Sequence, residues 1–238
     1  MAITRTTLAS AAGNTSDPWT TASQSPTSND LITASISVQC FGGGTLPTGV
    51  SLSGNGLTWV EINHVNDTPD LHAVWMFRAM GTASSGTVTI SQTGGSSLKG
   101  ANWSFEDWAG TDTTGTNGSG AIVQSATNVS TSANPQVQTI TLSALGDATN
   151  NVVYIASSGG SSSTPGSGYT ELVDQAGTDY FMETQWKLPG TTTPNATAAT
   201  AFQPQTGIAI EIKAGGGGGG GATGWGRLLS DERNRAVL

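Results

Sequence analysis

The sequence predicts an all-β fold: an antiparallel β-sandwich, jelly-roll-like or immunoglobulin-like, followed by a glycine tether and a short C-terminal peptide. Three observations predict it. Apolar and polar residues alternate with a period of two over many short stretches bounded by Gly, Pro, Asn and Ser. Gly, Ser and Thr supply 96 of the 238 residues, while charged residues supply only 10%, against about 25% in an ordinary globular domain. No window before residue 225 carries the i, i+3, i+4, i+7 apolar stripe of an amphipathic helix. Coiled coils and helical bundles are therefore excluded. Disorder is also disfavoured, because 35% hydrophobic residues, including 7 Trp, suffice for a core.

Each element follows from the same period. In Leu31 to Phe41, the residues Ile32, Ala34, Ile36, Val38 and Cys40 share one face, and Thr33, Ser35, Ser37 and Gln39 share the other. Further strands are expected near 57–63, 72–80, 86–92, 101–109, 120–125, 136–142, 151–157, 169–173 and 180–188. The 72–80 stretch is apolar on both faces, as a strand covered on both sides should be. In 180–188, Met182, Trp186 and Leu188 lie opposite Phe181, Glu183, Gln185 and Lys187. The last strand alternates Ile208, Ile210 and Ile212 with Ala209, Glu211 and Lys213. About ten short strands with frequent turn signals point to a sandwich. Thr suits the pleat and is polar without charge, so a Thr/Ser face can be wetted, covered by a neighbour or packed on another subunit.

The domain layout reads as a sandwich over 1–213, a glycine-rich linker over 214–224 and a docking peptide over 225–238. Gly215 to Gly221 is an unbroken run of seven glycines, spanning at most roughly 23 Å at about 3.3 Å per residue. Beyond it, Trp225, Arg227, Leu228, Leu229, Arg233 and Arg235 mix charge with large apolar groups. An ordinary unstructured terminus is the plain reading of this segment. The sharper one is a tethered anchor, since Trp and Arg dominate interfaces and a tether raises effective concentration.

The net charge of −8 offers no basic patch for phosphates, so no nucleic-acid partner is expected. No apolar run approaches the length of a membrane span, and no signal-peptide core is visible. The chain is expected to be made and retained in a cytoplasm, or to leave without a signal. Cys40 is the sole cysteine, which precludes an intrachain disulfide, and its place on the apolar face marks it as an inert core thiol.

Chemistry is sparse. Neither a Gly-x-Ser-x-Gly elbow nor a P-loop is present. Glu106 and Asp107 are adjacent, so a strand sends them to opposite faces, which is wrong for paired-carboxylate catalysis. No enzymatic activity and no cofactor are expected. His64, Asp67, Asp70 and His72 resemble a ligand cluster, but their spacing matches no metal template and Pro69 marks a turn. Asp107, Asp112 and Asn117 read in the same way as ordinary turn residues before they read as a Ca²⁺ site. Among the tryptophans, Trp19, in a Pro-flanked segment, is the candidate for an exposed glycan contact.

The strand series resembles a family of small β-sandwich proteins of bacteriophage structural modules, also found as uncharacterised bacterial proteins. The resemblance is carried by 3–7 (ITRTT), 19–23 (WTTAS), 57–59 (LTW), 88–90 (VTI), 116–125 (TNGSGAIVQS), 168–172 (GYTEL) and 207–212 (GIAIEI). It implies a virion-surface or decoration-type module and no defined activity. The expected role is a capsid decoration, cement or head-fibre protein. Its partners would be the major capsid protein or other virion subunits, and it would sit in a homo-oligomer or symmetric array. The alternative is a carbohydrate-binding adhesion module of a tail fibre or cell surface, with a host glycan as partner.

Overall fold

The computed structural model describes residues 2–130, 136–177, 180–200 and 204–216. Among these residues the first eight strands are β1 (Thr4–Ala12), β2 (Trp19–Thr20), β3 (Leu31–Thr45), β4 (Gly49–Gly54), β5 (Val60–Asp67), β6 (His72–Ala79), β7 (Val88–Thr93) and β8 (Ser96–Ala109). Eight more follow a single 3₁₀ turn at Ser119–Ala121: β9 (Ile122–Ser130), β10 (Val137–Thr139), β11 (Val152–Gly159), β12 (Ser163–Pro165), β13 (Thr170–Ala176), β14 (Phe181–Lys187), β15 (Asn195–Ala198) and β16 (Gln205–Ile212). All pairings between these strands are antiparallel.

Two five-stranded and two three-stranded sheets result. The first half forms β1-β8-β3-β6-β5 and β2-β7-β4; the second forms β13-β14-β11-β16-β9 and β10-β15-β12. Adding eight to every strand number of the first half reproduces the second, with the five-stranded order read from the other end. The connectivity is that of a jelly roll in which the fifth strand joins the larger sheet. The body is thus all-β and antiparallel, as the alternation predicts, but it holds two sandwiches of one topology where one was expected over 1–213.

Even the irregularities repeat. The β5–β6 ladder slips between Glu61 and Asn63, bulging at Ile62, and the β13–β14 ladder slips between Glu171 and Val173, bulging at Leu172. The segments Gly56-x-x-Trp59-x-Glu61-Ile62 and Gly166-x-x-Tyr169-x-Glu171-Leu172 lead into these bulges in matching order.

Four layers stack in the order β2-β7-β4, first five-stranded sheet, second five-stranded sheet, β10-β15-β12. The first core joins Ile36, Trp103 and Phe105 to Trp19, Val88 and Ile90. The central core joins Leu31, Val74, Met76 and Trp108 to Tyr154, Ile208, Ile210 and Ile212. The third packs Val153, Ile155 and Ala209 on Ile140 and Leu142. Across the centre β5 lies on β9 and β1 on β13, while β6 meets β16 and β8 meets β14. Each of these contacts is the counterpart of another, which approximates a two-fold, isologous interface, with β6 on β11 as a departure from it.

This stacking decides the fate of the polar face of β3. Thr33, Ser35 and Ser37 are fully buried, because the second half of the same chain covers them. Two of the three hydroxyls are bonded: Trp108 Nε1 of the same sheet donates to Thr33 Oγ1 at 2.8 Å, and Ser35 Oγ meets the Tyr154 hydroxyl of the second half at 2.9 Å. Likewise β6 is buried on both faces, as its sequence predicts.

Candidate functional site

The six strands of the two outer sheets contain no Asp, Glu, Lys or Arg: β2 is WT, β4 GVSLSG, β7 VTISQT, β10 VQT, β12 STP and β15 NATA. Their inward residues, such as Val50, Val88 and Ile90, fill the cores. Outward, Ser51 and Ser53 of β4 and Val137 and Thr139 of β10 face solvent. The outer faces therefore combine hydroxyls with scattered apolar groups and lack the charges that resist desolvation. Such faces occupy opposite sides of the four-layer stack.

Trp19 does not project to solvent. It is 3% exposed, belongs to the first core, and its Nε1 donates to Asn14 O at 2.7 Å. The flanking Pro18 reads as a loop signal, but the indole turns inward over Gly13, where any Cβ would overlap its ring. Trp103, beside it in the same shallow cleft, is 4% exposed. Neither indole leaves a ring face open to solvent for a sugar to stack on, and Trp19 is a core residue rather than an exposed glycan contact. The anchor residues Trp225, Arg227, Leu228, Leu229, Arg233 and Arg235 lie outside the described residues.

The last described residues are zipped onto the end of the first half. Asp112 N donates to Lys213 O, Gly215 N donates to Gly110 O at 2.8 Å, and Lys213 Nζ sits 2.6 Å from Asp112 Oδ2. Lys213, then Thr114, hold the Asp112 carboxyl down at about 2. An open cleft of about 660 Å³, lined by Asp112, Asp147, Asn151 and Lys213 among others, flanks this exit.

The ligand-like cluster does not converge. His64 is exposed and bonded to Glu61 Oε1 at 2.7 Å. His72 is buried, its Nε2 2.5 Å from Gln39 Nε2, and burial lowers its imidazole to about 4, so the ring is neutral. Asp107 accepts from Thr27 N, Asp112 pairs with Lys213, and Asn117 occupies a left-handed turn with φ 51°. Among the described residues no group of three or more His, Cys, Asp and Glu comes together in metal-binding geometry. Cys40 is 2% exposed, its Sγ donates to Thr45 O, and burial raises its thiol.

Glu106 and Asp107 do part to opposite faces, as their adjacency predicts. Glu106 enters the central layer, where Arg5, Thr7 and Ser104 donate to it. Asp107 points outward to the β2–β3 loop. No helix among the described residues is long and apolar enough to cross a membrane. Set against family models, curated proteins and solved structures, the chain matches none of the three.

Proposed function

We propose that this chain is a bacteriophage virion structural protein without catalytic activity: a capsid decoration, cement or head-fibre protein that binds the shell and neighbouring subunits. The observation that carries the reading is the pair of outer sheets, uncharged in their strands, on opposite sides of the four-layer stack. Protein interfaces are depleted of charge at their centres, and two alike faces let a single chain bridge two neighbours. The resemblance of the strand series to phage structural modules points the same way. In this reading the major capsid protein is the first partner, a symmetric array the arrangement, and the virion the location. The carbohydrate alternative has no comparable support, since its residue Trp19 is sealed in the core.

The test is incorporation into particles. Ser51→Lys with Ser53→Lys places two charges on the exposed side of β4 without entering a core, and Thr139→Lys does so on β10. The expected result is at least a tenfold loss of the protein from purified virions, with an unchanged thermal melt. Full incorporation of both variants would overturn the role of the outer sheets. A parallel deletion of 222–238 examines the anchor separately, and unchanged incorporation there removes the anchor alone.

A further inference from the structure

The duplicated topology allows one position to be read against its counterpart. Asp30 immediately precedes β3 and Asn151 immediately precedes β11. Asp107 pairs with Ile32, the second residue of β3, and Glu211 pairs with Val153, the second residue of β11. The two dyads, Asp30 with Asp107 and Asn151 with Glu211, therefore stand at equivalent places. Each strand carboxylate also accepts a backbone N–H at 2.8 Å from the loop that leads into the central strand, Thr27 N in one half and Gly146 N in the other.

The dyads differ in their second donor. Asn151 Nδ2 donates to Glu211 Oε1 at 2.6 Å. In the first half an amide is replaced by a carboxyl, which can donate only when protonated. Asp107 is 6% exposed and its Oδ1 is buried with no hydrogen-bond partner, while the Asp30 carboxyl lines the same cleft within hydrogen-bonding reach of the Asp107 side chain. A buried acceptor left unmatched is costly, and two adjacent carboxylates cannot comfortably both be charged.

We infer that Asp30 and Asp107 hold one proton between them, and that this carboxyl-to-carboxylate hydrogen bond adds to the hold of the β2–β3 loop on β8 until the proton leaves. The charged groups that line the surrounding cleft are Asp30, Asp107 and Arg5. Arg5 comes from β1, and its Nη1 is committed to Glu106 Oε2 at 3.0 Å, so it does not neutralise the dyad. Burial, then the charge of Asp107, raises the Asp30 carboxyl to about 6 from 3.8. The native chain thus holds this proton more tightly than the unfolded chain. The resulting stabilisation is complete below about pH 4 and is lost as pH rises through about 6. At the equivalent point of the second half the donor is the Asn151 amide, which has no proton to lose.

The test uses the full chain. Carboxyl-carbon NMR of the unmodified protein should show Asp30 titrating near 6. Chemical unfolding between pH 4.5 and 7.5 should show the folded-to-unfolded ratio falling about tenfold to a hundredfold more in the parent than in Asp30→Asn. Asn151→Asp should acquire the same extra fall, transplanting the device to the other half. An Asp30 carboxyl titrating near 4, a D30N profile identical to the parent, or a flat response in N151D would each overturn the inference. The NMR titration decides the matter if either variant fails to fold.

Discussion

At the scale of single residues, the central layer shows how a charge is kept inside a β-protein. Glu106 is fully buried, and burial raises its carboxyl while Ser104 at 2.6 Å, Arg5 at 3.0 Å and Thr7 at 2.8 Å pull it back. Removing one partner of a buried pair costs more than the pair contributes, because the other charge is stranded. Arg5→Ala is therefore expected to lose about 3–5 kcal/mol at pH 7. The loss should shrink at pH 5, where the stranded carboxyl can take up a proton. Urea unfolding at the two pH values checks this, and equal losses would refute it. The sequence placed Glu106 and Asp107 on opposite faces by adjacency alone. It misplaced Trp19, since whether an indole beside Pro18 turns in or out depends on space made by Gly13 and an acceptor from Asn14, neither visible in the local pattern.

At the scale of elements, alternation found the long strands. β3, β6, β14 and β16 send to each face the residues their period assigns. The strands that escaped it are short, except for the nine-residue β1, whose TRTTLASAA has no apolar residue before Leu8. β12 and β15 have three and four residues, and β4 is bracketed by glycines that read as turns, so no period of two could stand out. The elements are also joined at points that spacing does not reveal. Gly100 in β8 has φ 148°, and Tyr180 OH donates to Gly13 O at 3.1 Å just beside it. A Cβ on Gly100 would overlap both the Tyr180 hydroxyl and the Gly13 carbonyl. Gly100→Ala should accordingly cost about 2–4 kcal/mol, whereas Gly42→Ala, with open space around it, should change stability by less than about 1 kcal/mol. Paired thermal melts would discriminate, and equal shifts would contradict the account.

At the scale of the whole molecule, the sixteen strands are two copies of one eight-strand plan facing each other through a pseudo-two-fold centre. Little of this was legible, because a sheet preserves its alternation and bulges while side chains drift. Trp108 and Ile212 occupy equivalent ends of the central ladders, yet one is aromatic and the other aliphatic. What survives in sequence is the Gly-x-x-aromatic-x-Glu-aliphatic motif at 56–62 and 166–172, too brief to announce a repeat. The central interface predicts that the halves hold together without the link between them. A protease site inserted at 113–117 of the full chain, once cut, should leave both fragments eluting together and unfolding in one transition. Separation on a native sizing column would show that the link, not the interface, maintains the pair.

The covalent link also bears on the Ser and Thr residues buried at the centre. A dimer of free subunits must assemble against dilution, and its buried face is usually built for affinity. Here the two partners always share one polypeptide, so their encounter does not depend on how much protein is present. An interface freed from that demand can retain Thr33, Ser35, Ser37 and Glu106, of which Ser35 reaches across to Tyr154, with the grip left to the aliphatic residues around them. The protein can thus act as a dimer at any concentration, however few its copies.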